Sequence, residues 1–468
     1  MAAATKKGIG KIIFSSSLGT LIEWYDFYIF GMLAKTISVQ FFPEGNGTTA
    51  LLSTLAIFAA GFLVRPFGAL VFGRLGDLVG RKYTFLLTLV LMGASTFLIG
   101  LVPGYKAIGI AAPLLVLLLR LIQGLALGGE YGGAATYVAE HAPADRRGYF
   151  TSWIQTTATL GLFVALGIIL LVKTNMSEAA FNAEWGGWRY PFWISILLVA
   201  VSIYIRLKMS ESPMYAAIQK EGRTSVNPLK ESFGHRANFK MVLLALFGAV
   251  MGQGVVWYTG QFYAQSFLEN TVKIEFMQNR EILLWAIAMG TPFFLLFGWL
   301  SDKVGRKWIM LTGMLLGVVF YRPIFATFLK EANATEWKRQ GIRMANSSVS
   351  SSLINTDTVA DPVTKLHTYI QHSRTDWVLN DGRKFAVLSA DTIRQTLSRP
   401  SFISDTKPAF VDKILPEKTK WKFIFLVWVM IVFVTMAYGP IAAFLVELFP
   451  TKIRYTSMSL PYHIGNGV

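Results

Sequence analysis

Gly73-Arg-Leu-Gly-Asp-Leu-Val-Gly-Arg-Lys82 returns as Gly298-Trp-Leu-Ser-Asp-Lys-Val-Gly-Arg-Lys307. Asp77, Gly80, Arg81 and Lys82 recur as Asp302, Gly305, Arg306 and Lys307, each 225 residues later. Both copies lie between long apolar runs, so each reads as a charged turn where the chain meets water. A repeat at about half the chain length implies two related halves. Glu140, Pro143 and Arg147 also return, as Glu447, Pro450 and Arg454, but 307 residues later. The difference, 82 residues, is close to the length of a polar, charge-mixed stretch at 330–420 with no spanning segment. The second half is therefore the first with an insertion between its third and fourth segments.

Composition sets the solvent. The 468 residues are 53% hydrophobic and only 15% charged, where a soluble domain carries about 25% charged residues. That much apolar surface implies a membrane protein. The net charge of +17 is concentrated in short loops, so it reads as a topology signal and not as a nucleic-acid surface. With no cysteine there is no disulfide framework or thiolate metal site. His141, His235, His367, His372 and His463 show no metal-ligand spacing, and no phosphate-binding loop is present. No catalytic site, metal or cofactor is expected.

About 20 apolar residues cross a bilayer as a helix. Such segments lie near 12–34, 51–73, 83–102, 112–138, 150–172, 190–206, 240–268, 281–300, 308–329 and 422–446, and an eleventh begins near Tyr455. The expected organisation is a six-helix bundle at 1–206, a linker at 207–239, and a second bundle at 240–468 interrupted by 330–420. Lys and Arg gather in alternate loops, including Lys6, Lys7 and Lys11, and, in and at the edges of the middle loop, Arg206, Lys208, Lys220, Arg223, Lys230, Arg236 and Lys240. The N-terminus and both decapeptides therefore face the cytoplasm. The insertion then lies outside, as a decorative loop or a small folded module seeded by Lys384-Phe-Ala-Val-Leu388. Trp185, Trp188, Tyr190 and Trp193 suit an outer aromatic belt. Fewer residues follow Glu447 than separate Glu140 from Arg206. A twelfth helix is thus expected to be missing, and a chain lacking it is not expected to transport.

The duplicated loop resembles the major facilitator superfamily along nearly the whole chain outside the insertion. Gly19-Thr-Leu-Ile-Glu-Trp-Tyr-Asp-Phe-Tyr28, Arg120-Leu-Ile-Gln-Gly-Leu-Ala-Leu-Gly-Gly-Glu130 and Ser459-Leu-Pro-Tyr-His-Ile-Gly-Asn-Gly467 resemble its metabolite:H⁺ symporter branch. Gly187-Trp-Arg-Tyr-Pro-Phe192 and Glu211-Ser-Pro213 are shared with sugar porters. The resemblance implies an all-α membrane fold of two six-helix bundles with pseudo-two-fold symmetry. It also implies proton-driven import of a small organic acid, amino acid or zwitterionic solute by alternating access. The implied setting is a bacterial inner membrane, with substrate, H⁺ and lipid as the partners of a monomer. An uncoupled facilitator, or a transporter-like sensor using the insertion, are the alternatives.

By resemblance, helices one, four, seven and ten line a central cavity. Glu23 and Asp26 share a face of helix one. Burial and a neighbouring carboxylate both favour a protonated carboxyl, so either member of the pair could load and release H⁺. Gln123 and Glu130 lie one above the other on helix four, with Arg120 beside them. Arg120 can hold a helix-one carboxylate, the substrate's own, or Glu130. Glu23, Asp26, Arg120 and Glu130 are thus the proton-coupling candidates. Tyr25, Gln123, Gln253, Trp257 and Gln261 are the substrate-binding candidates, the last three spaced by four on helix seven. Arg65 and Arg322 read as snorkelling cations. Asp77, Arg81, Lys82, Asp302, Arg306 and Lys307 read as a cytoplasmic gate. In it each Asp meets a helix N-terminus of the other half, and the cations pair across the seam.

Overall fold

The structure, a computed structural model, describes residues 6–43, 47–343, 348–360, 367–394, 401–403 and 408–467. Several parts of the predicted insertion (344–347, 361–366, 395–400 and 404–407) lie outside these. In lipid a backbone can satisfy its polar groups only internally, and each long apolar run is accordingly helical. The main helices are α1 (Lys6–Met32), α2 (Gly47–Leu78), α3 (Arg81–Ile99), α4 (Ala111–His141), α5 (Ala144–Thr174) and α6 (Gly187–Leu207). They continue as α7 (Arg236–Thr271), α8 (Phe276–Val304), α9 (Arg306–Gln340), α10 (Glu417–Leu448) and α11 (Arg454–Gly467). Among the described residues, the nine from α2 to α10 are long and apolar enough to cross a membrane.

The chain forms two compact units. One comprises Met1–Val256, Thr291–Met314 and Val434–Val468; the other comprises Trp257–Gly290 and Leu315–Phe433. The boundary between them runs through α7, α8, α9 and α10.

The decapeptides are mostly helix. Only Val79 and Gly80 separate α2 from α3, and Gly305 alone separates α8 from α9. Both glycines have positive φ, 127° and 102°, where a side chain is strained. That requirement explains why the glycine recurs in both copies.

In the first unit, Tyr25, Ile29, Phe30, Ile37, Phe41, Trp188 and Phe192 form one core cluster. Trp188 is therefore a core residue and not part of a belt. Its indole donates to Ala183 O (3.0 Å) and its ring meets Phe41 edge-on. Arg189 is also buried and donates to Gly100 O and Val102 O, both at 2.8 Å.

The insertion is a folded module. Helical structure persists to Arg343. Then follow β1 (Ser348–Ala360), β2 (His367–Val378), β3 (Lys384–Arg394), β4 (Ser401–Ile403) and β5 (Ala409–Ile414). The sheet is antiparallel in order β1-β2-β3-β4, and β5 also pairs with β3. Lys384-Phe-Ala-Val-Leu388 supplies its buried centre at Phe385, Ala386 and Val387.

Candidate functional site

Two polar clusters lie in the first unit. The first is inside the bundle of α1, α3, α4 and α6. Glu130 on α4 receives Arg206 Nη2 at 2.8 Å and the Thr88 hydroxyl at 2.9 Å. Glu23 on α1 is 3.9 Å from the same guanidinium and within hydrogen-bonding reach of Glu130. All three side chains are at most 2% exposed. Arg206 also donates to Phe85 O and lies over that ring, 3.4 Å from its centroid. It reaches this position across Gly19, where a Cβ would stand 2.0 Å from Nη2. Two carboxyl groups thus face one guanidinium in an apolar bundle.

The sequence reading assigned Arg206 to the linker as a topology charge. In the structure α6 runs through to Leu207 and turns the side chain inward. The signal available was Gly19 on α1, but nothing in the sequence linked it to residue 206.

Asp26 is held separately, although it lies one turn from Glu23. Its Oδ1 accepts from Ser195 Oγ at 2.6 Å. Thr96 accepts from Gln123 Nε2 (2.6 Å), and Gln123 Oε1 accepts from Arg120 Nη1 (2.7 Å). A hydrogen-bonded chain therefore runs from Arg120 through Gln123 to Thr96, whose own hydroxyl donates to Met92 O at 3.0 Å.

Arg120 forms no ion pair with Glu23, Asp26 or Glu130 among the described residues. Instead its guanidinium sits over Phe30, Phe58 and Phe27, at 4.4, 4.8 and 5.4 Å from their centroids. Aromatic faces attract a desolvated cation, and Arg206 already occupies Glu130. Arg65, expected to snorkel, is likewise buried over Phe62 at 4.0 Å. Tyr25, a substrate-binding candidate, is buried and donates its hydroxyl to Pro191 O at 2.7 Å. That bond fixes α1 to α6 and leaves the hydroxyl no donor proton for a solute.

Of the α7 candidates, Gln253 and Trp257 lie four apart in one α-helical stretch, Met251–Tyr258. Wide π-type turns occur at Leu246–Val250, Thr259–Tyr263 and Phe267–Thr271. They bond i to i+5, and the second of them holds Gln261. Gln253 is fully buried, with neither amide atom hydrogen-bonded among the described residues. Trp257 is buried against Tyr258 and Phe262, and Gln261 is half-buried.

The second cluster is at the decapeptides. Asp77, fully buried, accepts from the amides of Tyr455 (3.3 Å) and Thr456 (2.8 Å) in the first turn of α11. Asp302 accepts from the amides of Gly148 and Tyr149, both 2.8 Å, near the start of α5. A carboxylate at a helix N-terminus meets free N–H groups and the positive end of the dipole. Arg81 pairs with Asp77 (3.0 Å), approaches Glu140 (3.5 Å) and donates to Thr451 O (2.6 Å). Arg454 also pairs with Glu140, at 2.9 Å. In the second copy Arg306 pairs with Asp302 and with Glu447 (3.1 Å).

The two lysines do not join these pairs. Lys82 donates to Leu207 O at 3.0 Å, and Lys307 lies 5.6 Å from the Trp308 ring centroid. Three linker residues missed in the sequence complete the decapeptide cluster around Arg81. Glu211 caps the amides of Arg81 and Lys82, Ser212 donates to Glu140, and Tyr215 lies under Arg81, 4.4 Å from ring centroid to guanidinium. Deeper in the same unit Tyr131 stacks on Tyr462 at 3.6 Å, and Tyr462 shares a hydrogen bond with Tyr438.

A family model for sugar (and other) transporters matches residues 12–226. The alpha-ketoglutarate permease of Escherichia coli (strain K12) is 38% identical over 324 residues, covering 69% of this chain and 72% of that protein. The proline/betaine transporter of the same organism is 35% identical over 325 residues, 67% of this chain and 64% of that protein. A putative metabolite transport protein of Haemophilus influenzae is 30% identical over 470 residues, 97% of this chain and 86% of that protein. Among solved structures, the major facilitator superfamily proton:xylose symporter XylE matches with a TM-score of 0.64 at 15% identity. That match covers 99% of this chain and 87% of XylE, and it shows a shared fold.

Proposed function

The chain belongs to the major facilitator superfamily of membrane transporters, and from that premise we propose that it imports a small organic acid, amino acid or zwitterionic solute by proton symport. It is a multi-pass inner-membrane transporter and not an enzyme. The names of its relatives support that substrate class: 2-oxoglutarate, proline and betaine all carry a carboxylate. The observation carrying proton coupling is the Glu23–Glu130 pair facing the single guanidinium of Arg206. Charge inside a membrane protein is costly. One proton shared by the two carboxyls neutralises the cluster, and its loss leaves net negative charge. Asp26, held by the Ser195 hydroxyl, is the second candidate. Gln253, Trp257 and Gln261 remain proposed substrate contacts.

Asp77 and Asp302, each on the first turn of another helix, support a gate that opens by withdrawing a carboxylate from a helix end. Arg81, Arg306, Glu140 and Glu447 brace it, while Lys82 and Lys307 serve as topology charges. With the N-terminus cytoplasmic, this end is the inner side of an alternating-access cycle. We take the working unit as a monomer with substrate, H⁺ and lipid as its partners.

The test is uptake of labelled 2-oxoglutarate, proline and glycine betaine into energised cells. One of them should accumulate uphill, and an uncoupler should collapse the accumulation. Glu23→Gln should leave equilibration only, and wild-type accumulation by that variant would remove the pair from coupling. The same measurement on Asp26→Asn assigns or dismisses Asp26.

A further inference from the structure

Four side chains inside the first unit take no part in the transport cluster or the decapeptide gate. Tyr131 on α4 and Tyr462 on α11 lie face to face, with ring centroids 3.6 Å apart and planes 4° from parallel. Gln155 on α5 donates its amide to the Tyr131 hydroxyl at 2.7 Å. The Tyr438 hydroxyl on α10 shares a hydrogen bond with that of Tyr462. All four side chains are buried. Tyr131 and Gln155 belong to the first sequence half, Tyr438 and Tyr462 to the second. The stack is therefore a contact between the halves.

Its depth sets it apart from the decapeptides. Arg454, at the start of α11, pairs with Glu140 near the end of α4, which marks the decapeptide level on both helices. At a rise of 1.5 Å per residue, Tyr462 lies roughly 12 Å along α11 from Arg454, and Tyr131 roughly 14 Å back along α4 from Glu140. Between the two levels the helices touch through small residues. A Cβ on Gly132 would collide with Ser459 Oγ, and one on Gly133 would crowd the Tyr455 hydroxyl. Ser459 thus lies on the decapeptide side of the stack.

The two levels are held by different forces. Ion pairs and carboxylates on helix ends hold the decapeptides. Ring contact and neutral hydrogen bonds hold the deeper level. Full ring overlap is less favourable than an offset or edge-on pair, so Gln155, Tyr438 and the packed helices impose it. Such a contact can block a path and still part. An aromatic pair inside a bundle is ordinarily core packing, but this one spans the seam that alternating access must open in every cycle.

We infer that the Tyr131–Tyr462 stack is a second barrier on the substrate path, deeper than the decapeptide gate, and that it stays shut when the decapeptide level alone opens. The inference rests on the reading of Asp77 as a gate carboxylate. The chain has no cysteine, so Ser459→Cys reports the decapeptide level and Thr159→Cys the space beyond the stack. Thr159 is buried one turn deeper than Gln155 on the same face of α5. A membrane-impermeant maleimide is applied from the decapeptide side of sealed vesicles. In an Asp77→Asn background Ser459→Cys should label faster, while Thr159→Cys stays within twofold of its rate with Asp77 intact. Adding Tyr131→Ala should then raise the Thr159→Cys rate at least tenfold. Tyr462→Ala, made separately, should do the same from the other helix, and Tyr131→Phe, which keeps the ring, should not. No rise at Ser459→Cys would remove the gate reading and the second barrier with it. A rise at Thr159→Cys matching that at Ser459→Cys with both tyrosines present would overturn the second barrier alone. Continued protection of Thr159→Cys in both alanine variants, or release by Tyr131→Phe, would overturn the stack as that barrier.

Discussion

Replacing Asp77 with Asn keeps the side-chain shape and removes the charge from the first turn of α11. The amide oxygen can still accept from one of Tyr455 N and Thr456 N, while its NH2 group faces the other donor. Hydrogen bonds to a charged group contribute roughly 1.5–3 kcal/mol. A charge at a helix end adds about 0.3–2 kcal/mol. Arg81 keeps Glu140 and Thr451 O as partners, so its own loss is partial. The closed decapeptide end should therefore weaken by roughly 3 kcal/mol, and its opening equilibrium should shift about 10²-fold. The chain has no cysteine, so a single Ser459→Cys reports opening directly. Ser459 is fully buried in α11. Its maleimide labelling rate, measured from the decapeptide side of the membrane, should rise by about the same factor in Asp77→Asn. Asp302 is slightly exposed where Asp77 is not, and its partner Glu447 is one-third exposed. Asp302→Asn should give a smaller rise, because solvent screens that site. Labelling within twofold of the parent in Asp77→Asn would refute a gate built on this carboxylate.

Other expectations concern stability. Arg206→Ala leaves Glu130 buried beside Glu23 with no cation, the Thr88 hydroxyl still donating to it, and should destabilise by ~3–5 kcal/mol. The double variant Arg206→Met/Glu130→Leu should recover most of that loss, measured by thermal unfolding in detergent. Gly305→Ala should cost roughly 1 kcal/mol from its positive φ alone, since a Cβ there meets nothing closer than 3.8 Å. Gly80→Ala should cost more, because the Cβ would lie 2.4 Å from Glu211 Oε2. Burial pushes the Lys413 ammonium down from its ordinary 10.5 to about 8, so the unfolded chain binds the extra proton between those values. Stability of the insertion should rise as pH increases from about 8 to about 10.5. Lys413→Met should flatten that rise in pH-dependent melting curves.

What the sequence made legible, and what it hid, follows the range of the forces involved. Eleven apolar segments and two displaced repeats give the helices and the insertion, because those signals are local and long. Asp77 and Asp302 stand out because they recur beside glycines that the backbone needs. Side-chain direction at a helix end is not local. Arg206 looks like a loop cation until Gly19 on a distant helix opens a path to Glu130. Arg120 looks like an ion-pair partner until three phenylalanines from α1 and α2 surround it. Helical phase put Gln253, Trp257 and Gln261 on one face, while the π-type turns in α7 carry no clear sequence signature and went unread. Tyr25 sits in a motif rich in polar groups, and only the tertiary contact to Pro191 shows where its hydroxyl goes. In the insertion, Lys384-Phe-Ala-Val-Leu388 did mark the buried strand. The neighbouring β1 is exposed along its described length and offered no alternation to read.

The most direct test of proton coupling at the Glu23–Glu130–Arg206 cluster compares two modes of transport in the same proteoliposomes. Exchange of labelled for unlabelled substrate needs no net proton movement, whereas uphill uptake driven by a pH gradient does. For Glu23→Gln the expected result is exchange near the wild-type rate with uphill accumulation lost. Accumulation at the wild-type level by that variant would contradict the assignment of the proton to this cluster.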